Sequence, residues 1–160
     1  MTPLFKKLNF KDHASVLVLD LPDELREACA SQSEFTSMVY NQSELQGTSF
    51  AMAFVRTLEG VEEAVNALLP ILEGDAVLWM CYPKGSSKRY SCTFNRDTGW
   101  SSLGKAGMEP VRQVSVNDDW SALRFRKSTY IKNMTRSTEM AISDEGRERT
   151  SIQPKKRQRR

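Results

Sequence analysis

A short basic segment holds the side chains best suited to binding an anion. Residues 84–89 read Lys-Gly-Ser-Ser-Lys-Arg, which places ammonium, guanidinium and hydroxyl donors on a glycine-containing backbone. Such donors, together with free backbone amides, form cradles for phosphate or carboxylate groups. Arg96 follows near the predicted start of a helix, where unpaired N–H groups favour anions. The predicted ligand-binding residues are Lys84, Ser86, Ser87, Lys88, Arg96 and Trp100.

The same region allows a plainer interpretation, a solvated basic loop that binds nothing. Arg96 could then pair with Asp97 or with a backbone carbonyl. Asp118 and Asp119 form a carboxylate pair, an arrangement that can do acid–base chemistry when it is buried. Both are also typical turn residues, and Asp119 could pair with Arg124 or Arg96. We therefore expect Asp97, Asp119 and Arg124 to give polar support to the loop, with no catalytic residue assigned.

The three tryptophans could line a pocket, but aromatic residues are more often core. Trp79 lies inside a strongly apolar run and is predicted to be core, and core is favoured over a pocket wall for Trp100 and Trp120 as well. Cys81, in the same run as Trp79, is predicted to be an inert buried thiol. Cys92 is expected to be more exposed, and nothing near it in sequence favours a thiolate.

Apolar runs of strand length alternate with helical patterns, which is typical of a parallel α/β sheet. The predicted strands are 15–19, 35–40, 49–55 and 75–82. Helices are predicted at 22–31, with Pro22 in the first turn, and at 57–72, with Thr57 as the cap. The basic segment thus leaves the carboxyl end of a central strand, where open α/β sheets place their ligands.

The last part of the domain is predicted to be a helix followed by a hairpin. Asn95 or Asp97 could cap a helix that contains Trp100 and that Gly107 ends. Strands are predicted at 111–116 and 122–126, joined by the short polar connection 117–120. This arrangement, with the stretch Leu103–Val111 between helix and hairpin, resembles the C-terminal half of class I methyltransferases. The resemblance implies the strand order 2-1-3-4-6-5 in a three-layer, Rossmann-like, mostly parallel sheet of about six strands ending in an antiparallel hairpin.

A second resemblance rests on five segments taken together. They are Phe5–Phe10, Tyr82–Lys88, Phe94–Trp100, Pro110–Val114 and Asp119–Arg126. As a set they resemble a family of bacterial proteins with a Rossmann-like domain of unknown function, over about residues 4 to 150. The resemblance implies the fold and a bacterial, cytoplasmic origin, and it implies no activity.

The usual cofactor motifs of this fold class are missing. The turn after the first predicted strand reads Asp20-Leu21-Pro22-Asp23-Glu24 and contains no glycine, while its acids would repel a phosphate. We therefore expect no cofactor, and in particular no NAD, FAD or S-adenosylmethionine in the usual pose. A P-loop ending and a nucleophile elbow are also absent. One histidine and three scattered cysteines offer no clustered zinc ligands, so no metal is predicted.

The net charge of the chain is set by its end. Residues 151–160 carry five basic residues and no acid, whereas the whole chain has a net charge of +3, so the rest is slightly acidic. The basic residues are Lys155, Lys156, Arg157, Arg159 and Arg160. Such a tail is expected to be disordered, and it could bind nucleic acid or an acidic partner weakly through counterion release. The predicted organisation is an arm at 1–14, a Rossmann-like domain at 15–127 and an extended segment at 128–160.

Three functions remain open at this point. The preferred one is a domain that binds a small anionic ligand or a protein partner at the carboxyl edge of the sheet. The alternatives are a divergent transferase-like enzyme without the glycine-rich loop, and a nucleic-acid accessory protein that acts through the tail. The start of the chain has no apolar signal segment, and no apolar run is long enough to span a membrane, so a cytoplasmic location is expected.

Overall fold

The computed structural model describes residues 1–94 and 98–131. Four helices and six strands are described there, with three short 3₁₀ turns between them. The helices are α1 (Pro3–Lys7), α2 (Arg26–Gln32), α3 (Leu58–Leu68) and α4 (Ser101–Lys105). The strands are β1 (Ser15–Leu19), β2 (Ser37–Val39), β3 (Thr48–Phe54), β4 (Leu72–Pro83), β5 (Met108–Ser115) and β6 (Trp120–Lys127). The 3₁₀ turns are Asp23–Leu25, Gln42–Glu44 and Ser128–Tyr130.

The six strands form one mixed sheet in the order β2-β1-β3-β4-β6-β5. Strands β1 to β4 pair in parallel, whereas β6 runs antiparallel to β4 and β5 antiparallel to β6. The predicted Rossmann-like fold class and its strand order are confirmed. Because β1 pairs with β2 on one side and with β3 on the other, the chain reverses its direction of winding at β1, which creates a crevice at the carboxyl ends of β1 and β3.

Apolar side chains cover both faces of the central strands, which is why β1, β3 and β4 read as continuous apolar runs. On one face α3 packs through Val61, Ala64, Val65 and Leu68. On the other face α1 packs through Phe5, the 3₁₀ turn Asp23–Leu25 through Leu25, and α2 through Cys29. Trp79 is fully buried there, and its indole N–H donates to the carbonyl of Leu8 at 2.8 Å. The core role predicted for Trp79 is therefore confirmed.

Several predicted boundaries differ from the structure for local reasons. The arm at 1–14 contains a helix, because Thr2 accepts a hydrogen bond from the Phe5 amide while Phe5 and Leu8 are completely buried. The helix predicted at 22–31 is a 3₁₀ turn at Asp23–Leu25 followed by α2. Thr57 does cap α3, but the helix ends at Leu68, two residues before Pro70, which has no N–H to continue it.

The hairpin is confirmed, and both of its strands are longer than predicted. Strand β5 starts at Met108 instead of the predicted residue 111, and β6 starts at Trp120 instead of the predicted residue 122. Gly107, with φ of 79°, turns the chain between α4 and β5, as predicted for a helix stop. Helix α4 starts after Trp100, and the caps predicted at Asn95 and Asp97 lie outside the described residues.

Candidate functional site

Three cavities lie in a row along the carboxyl edge of the sheet. The β1 cavity, of about 490 Å³, is lined by Val18, Asp20, Leu21, Arg26, Ala30 and Tyr40. The switch cavity, of about 290 Å³, lies at the reversal of winding and is lined by Asp20, Pro22, Phe54, Val55, Arg56, Gly60, Tyr90 and Trp120. The loop cleft, of about 580 Å³, is lined by residues 82–87, 90–92, Phe94, Gln113 and Ser121. Asp20 is a wall of the first two cavities and Tyr90 of the last two, so the row is continuous.

The loop cleft is formed by the segment that follows β4. Lys84, Ser86 and Ser87 line it, which places three of the predicted ligand residues in one cleft. Opposite them stand Gln113 and Ser121 of the hairpin strands. Ammonium and hydroxyl groups around one open cleft are suited to an anionic ligand.

The loop itself is tied to the β5–β6 hairpin by hydrogen bonds. The Ser87 hydroxyl donates to Oδ1 of Asp119 at 2.8 Å and accepts from the amide of Tyr90 at 3.1 Å. The Lys84 amide donates to the Asp119 carbonyl at 2.8 Å, and its Nζ donates to the hydroxyl of Ser115 at 2.6 Å. The backbone of the loop is therefore placed by the hairpin, while Ser86, the most exposed member of the set, has no hydrogen bond among the described contacts.

Tyr90 connects this loop to the turn after β1. Its hydroxyl donates to Oε1 of Glu24 at 2.8 Å, and the indole N–H of Trp120 donates to Oε2 at 3.3 Å. The rings of Tyr90 and Trp120 lie 4.9 Å apart, and Trp120 packs edge-on against Phe54 at 5.1 Å. Glu24 therefore holds two aromatic side chains that come from distant parts of the chain.

Charges of both signs surround Tyr90, with Arg56 and Arg89 set against Glu24 and Asp119. The guanidinium groups of Arg56 and Arg89 lie 5.7 and 5.6 Å from the centre of its ring, within the range of cation–π contact. Burial raises the pKa of Glu24, but its backbone hydrogen bond and those from Tyr90 and Trp120 outweigh this and leave the pKa below its ordinary value. The hydrogen bond to Glu24, with burial, raises the pKa of Tyr90. At neutral pH Glu24 is thus ionised and Tyr90 is a neutral donor.

Asp20, the wall shared by the β1 and switch cavities, has an unusual backbone conformation. Its φ is 57°, in the left-handed region that favours glycine and that aspartate tolerates better than most residues. Its carboxylate is exposed and has no hydrogen bond or ion pair among the described contacts. The turn thus bends without a glycine, and it leaves one carboxylate free at the junction of two cavities.

The remaining predicted site residues lie elsewhere. Trp100 is 4% exposed and packs against Tyr82, Phe94 and Phe125, so it lines none of these cavities. Lys88 is exposed and is not a wall of the loop cleft. Asp119 supports the loop through Ser87, as described above. Arg124 lies on β6 beside Arg112 and away from the loop, so the predicted pairing of Asp119 with Arg124 does not form.

Two sets of predictions fall outside the described residues. Arg96 and Asp97 belong to the gap at 95–97. The tail residues Lys155, Lys156, Arg157, Arg159 and Arg160 belong to the segment after 131. Their proposed roles stay predictions.

Sequence reasoning missed the residues at the centre of the row, Asp20, Glu24, Arg56 and Tyr90. A signal was available for two of them, since Asp20 follows directly after β1 and Arg56 lies just beyond β3, and both of these strands end at the carboxyl edge. No local signal pairs Tyr90 with Glu24, because 66 positions separate them.

Comparison with known proteins adds information on the fold only. No protein-family model matches the chain, and no curated protein matches it. Solved structures with a similar backbone include an N-methyltransferase 2 of Haemonchus contortus, in complex with phosphomonomethylethanolamine and S-adenosylhomocysteine. It is 15% identical, with a TM-score of 0.49, over 78% of this chain and 37% of that one. This chain therefore spans well under half the length of that protein.

Two further structures have a similar backbone. The N-methyltransferase NodS of Bradyrhizobium japonicum WM9, in complex with S-adenosylhomocysteine, is 10% identical, with a TM-score of 0.46, over 78% of this chain and 96% of that one. A fibrillarin pre-rRNA processing protein of Methanococcus jannaschii is 11% identical, with a TM-score of 0.45, over 79% and 70% of the two chains. At such identities the likeness describes the path of the backbone and assigns no activity.

The expectation that argued against S-adenosylmethionine needs correction. Two solved structures with a similar backbone hold S-adenosylhomocysteine, which runs against that expectation. The β1 cavity has a volume within the range of small-ligand sites, and the positive φ of Asp20 makes the bend for which other turns use glycine.

The described helices are all too short or too polar to cross a membrane.

Proposed function

We propose that this chain is a transferase-like protein that binds two small ligands along the carboxyl edge of its sheet, one on each side of the switch cavity. The observation that carries the proposal is the continuous row of cavities, in which Asp20 and Tyr90 are shared walls. A transferase must bring a group donor and an acceptor together while excluding water, and ligands in the β1 cavity and the loop cleft would meet across the switch cavity, which shares Asp20 with the first and Tyr90 with the second.

The donor proposed for the β1 cavity is a nucleoside-containing molecule of the S-adenosylmethionine type. The aromatic ring of Tyr40 offers a surface for stacking a base, and Leu21 an apolar contact. The free carboxylate of Asp20 can accept hydrogen bonds from a hydroxyl or an ammonium group. When bound, such a molecule supplies an activated methyl group.

The acceptor proposed for the loop cleft is a small anionic molecule. Lys84, Ser86 and Ser87 would bind its phosphate or carboxylate, and Arg56 contributes positive charge from the neighbouring switch cavity. Tyr90, neutral and held by Glu24, lies between the loop cleft and the switch cavity and can donate a hydrogen bond to a ligand only if it leaves Glu24.

The test is titration calorimetry with S-adenosylhomocysteine on three variants. Ala30→Trp places a large ring in the β1 cavity and is expected to abolish binding, because Ala30 is an exposed wall residue. Ser86→Trp obstructs the loop cleft and is expected to leave this binding unchanged. Glu34→Trp, at an exposed position outside all three cavities, is the control. Absence of binding to the unmodified protein at millimolar concentration would reject the transferase proposal.

A second candidate function is binding of a small anionic ligand or protein partner without any transfer. It is favoured by the loop cleft alone, which has lysine and hydroxyl groups in its wall. Titration with nucleotides and phosphorylated metabolites tests it, with Lys84→Ala combined with Lys88→Ala as the variant. Binding that survives this double substitution would reject the assignment to the loop. Binding that is lost there, in a protein that ignores S-adenosylhomocysteine, would favour this candidate over the first.

A further inference from the structure

Two arginines face each other across the hairpin strands, and neither of them is a wall of the carboxyl-edge cavities. Arg112 of β5 is the register partner of Arg124 of β6. Residues directly opposite in an antiparallel pair point to the same face, with Cβ atoms about 4.5–5.5 Å apart, and like charges in these positions destabilise the sheet. Arg112 is exposed and Arg124 is half-buried, so water screens this repulsion only in part.

Asp75, the carboxylate whose charge acts on Arg124, is already engaged. Arg126, two residues beyond Arg124 on the same face, binds Asp75 through two parallel hydrogen bonds, from Nε at 2.8 Å and from Nη2 at 2.5 Å. Glu109, the register partner of Arg126, is completely buried and has an interaction of its own. No described residue forms a hydrogen bond or an ion pair with either Arg112 or Arg124.

Arg124 is the most constrained member of the group. Its Nε is buried without an acceptor. Burial and the positive charges of Arg126 and Arg112 lower its pKa, although Asp75 acts in the opposite direction. The effect reaches His13, whose pKa is lowered by burial and by Arg124. Crowding of like charges is also costly, and one anion bound to both guanidinium groups would relieve it.

We propose that Arg112 and Arg124 together bind a phosphate monoester group on the face of the β5–β6 strand pair. A guanidinium group presents a planar fork of N–H donors that matches phosphate oxygens, and the strand register places two such groups on one face of the strand pair. A phosphate monoester carries a charge of about −1.5 to −2 at neutral pH, which balances two guanidinium groups. A carboxylate, or one phosphodiester of a nucleic acid, carries a single charge and balances only one.

The experiment measures binding of inorganic phosphate by NMR titration at constant ionic strength, with chloride as the competing salt. Arg112→Gln and Arg124→Gln are each expected to weaken binding by about tenfold or more, since a hydrogen bond to a charged group contributes roughly 1.5–3 kcal/mol. Lys105→Gln, which removes one exposed positive charge from the last turn of α4, is the control and is expected to have no effect. Glycerol phosphate and a phosphoserine peptide, tested next, distinguish a free metabolite from a modified protein as the source of the group.

A purely structural role for the arginines predicts that Arg112→Gln lowers the melting temperature, whereas the phosphate proposal predicts the opposite. Without an anion, Arg112→Gln should raise the melting temperature if the repulsion is real, and added phosphate should stabilise the unmodified protein more than the variant. Because Arg112 is exposed on an edge strand, this variant remains informative even if Arg124→Gln fails to fold. The proposal is overturned if Arg112→Gln binds phosphate as tightly as the unmodified protein does. It is also overturned if Lys105→Gln weakens phosphate binding as much as Arg112→Gln does.

Discussion

The turn after β1 and the loop after β4 leave the same edge of the sheet, but they are held in position in different ways. The turn is short, has no glycine, and bends by placing Asp20 in the left-handed region. The loop is long and polar, and it is placed by contacts with the hairpin and, through Tyr90, with Glu24 of the turn. We therefore expect the turn to keep its shape without the loop, whereas the loop needs its contact with the turn to keep its position.

The largest effect is expected for the side chain that supports both regions. Trp120 is 2% exposed and contacts Phe54, Tyr90 and Glu24. Trp120→Ala should lower the free energy of unfolding by about 3–5 kcal/mol, because it leaves a large cavity and removes a donor from Glu24. Urea denaturation measures this, with Tyr130→Ala at an exposed position as the control. A loss below 1 kcal/mol would mean that turn and loop are not held by a common anchor.

The next variant separates the loop from the turn. Tyr90→Phe keeps the ring against Trp120 and removes only the hydrogen bond to Glu24, at a cost of about 1 kcal/mol for this partly exposed pair. Hydrogen exchange should become faster in the loop at 84–94 and stay unchanged in the turn at 20–25. Faster exchange in both segments to the same degree would contradict the proposed direction of dependence.

The backbone of the turn is tested by glycine at Asp20. Asp20→Gly is expected to raise the free energy of unfolding by up to about 1 kcal/mol relative to Asp20→Ala, because alanine is strained in the left-handed region and glycine is not. Asp12 is also exposed but has no positive φ, so Asp12→Gly should be less stable than Asp12→Ala. The same order of stability at both positions would remove the evidence for strain. Asp20→Gly should also weaken any ligand that uses its carboxylate.

The smallest effect is a pH dependence of the contact between turn and loop. The pKa of Glu24 is lowered in the folded protein, so its contribution to stability is present above the pKa of an unfolded glutamate and is lost as the pH falls through the lower folded value. Between pH 6 and pH 3 the melting temperature should therefore fall more steeply for the unmodified protein than for Glu24→Gln. Parallel curves would show that Glu24 makes no net electrostatic contribution.

The sequence predicted much of the fold and only part of the site. Continuous apolar runs identified β1, β3 and β4, because a strand that is buried on both faces carries apolar residues at successive positions. The loop cleft was partly foreseen, since Lys84, Ser86 and Ser87 follow directly after β4 and must lie near its carboxyl end. Trp100, which the sequence offered both as a core residue and as a ligand residue, lies in the core, because only packing decides between these roles for a large aromatic near a loop.

The sequence alone therefore specified local features. These are the segments that form strands and helices, the cap of α3 at Thr57, and the positions of Asp20 and Lys84 directly after two strands that end at one edge. The tertiary structure alone decided the long-range pairs, Tyr90 with Glu24 and Arg112 beside Arg124. The physical reason is that a strand's register and a loop's direction depend on contacts summed over the whole sheet. A shift of one residue would have turned Arg112 or Arg124 to the opposite face without changing the local pattern of the chain around either of them.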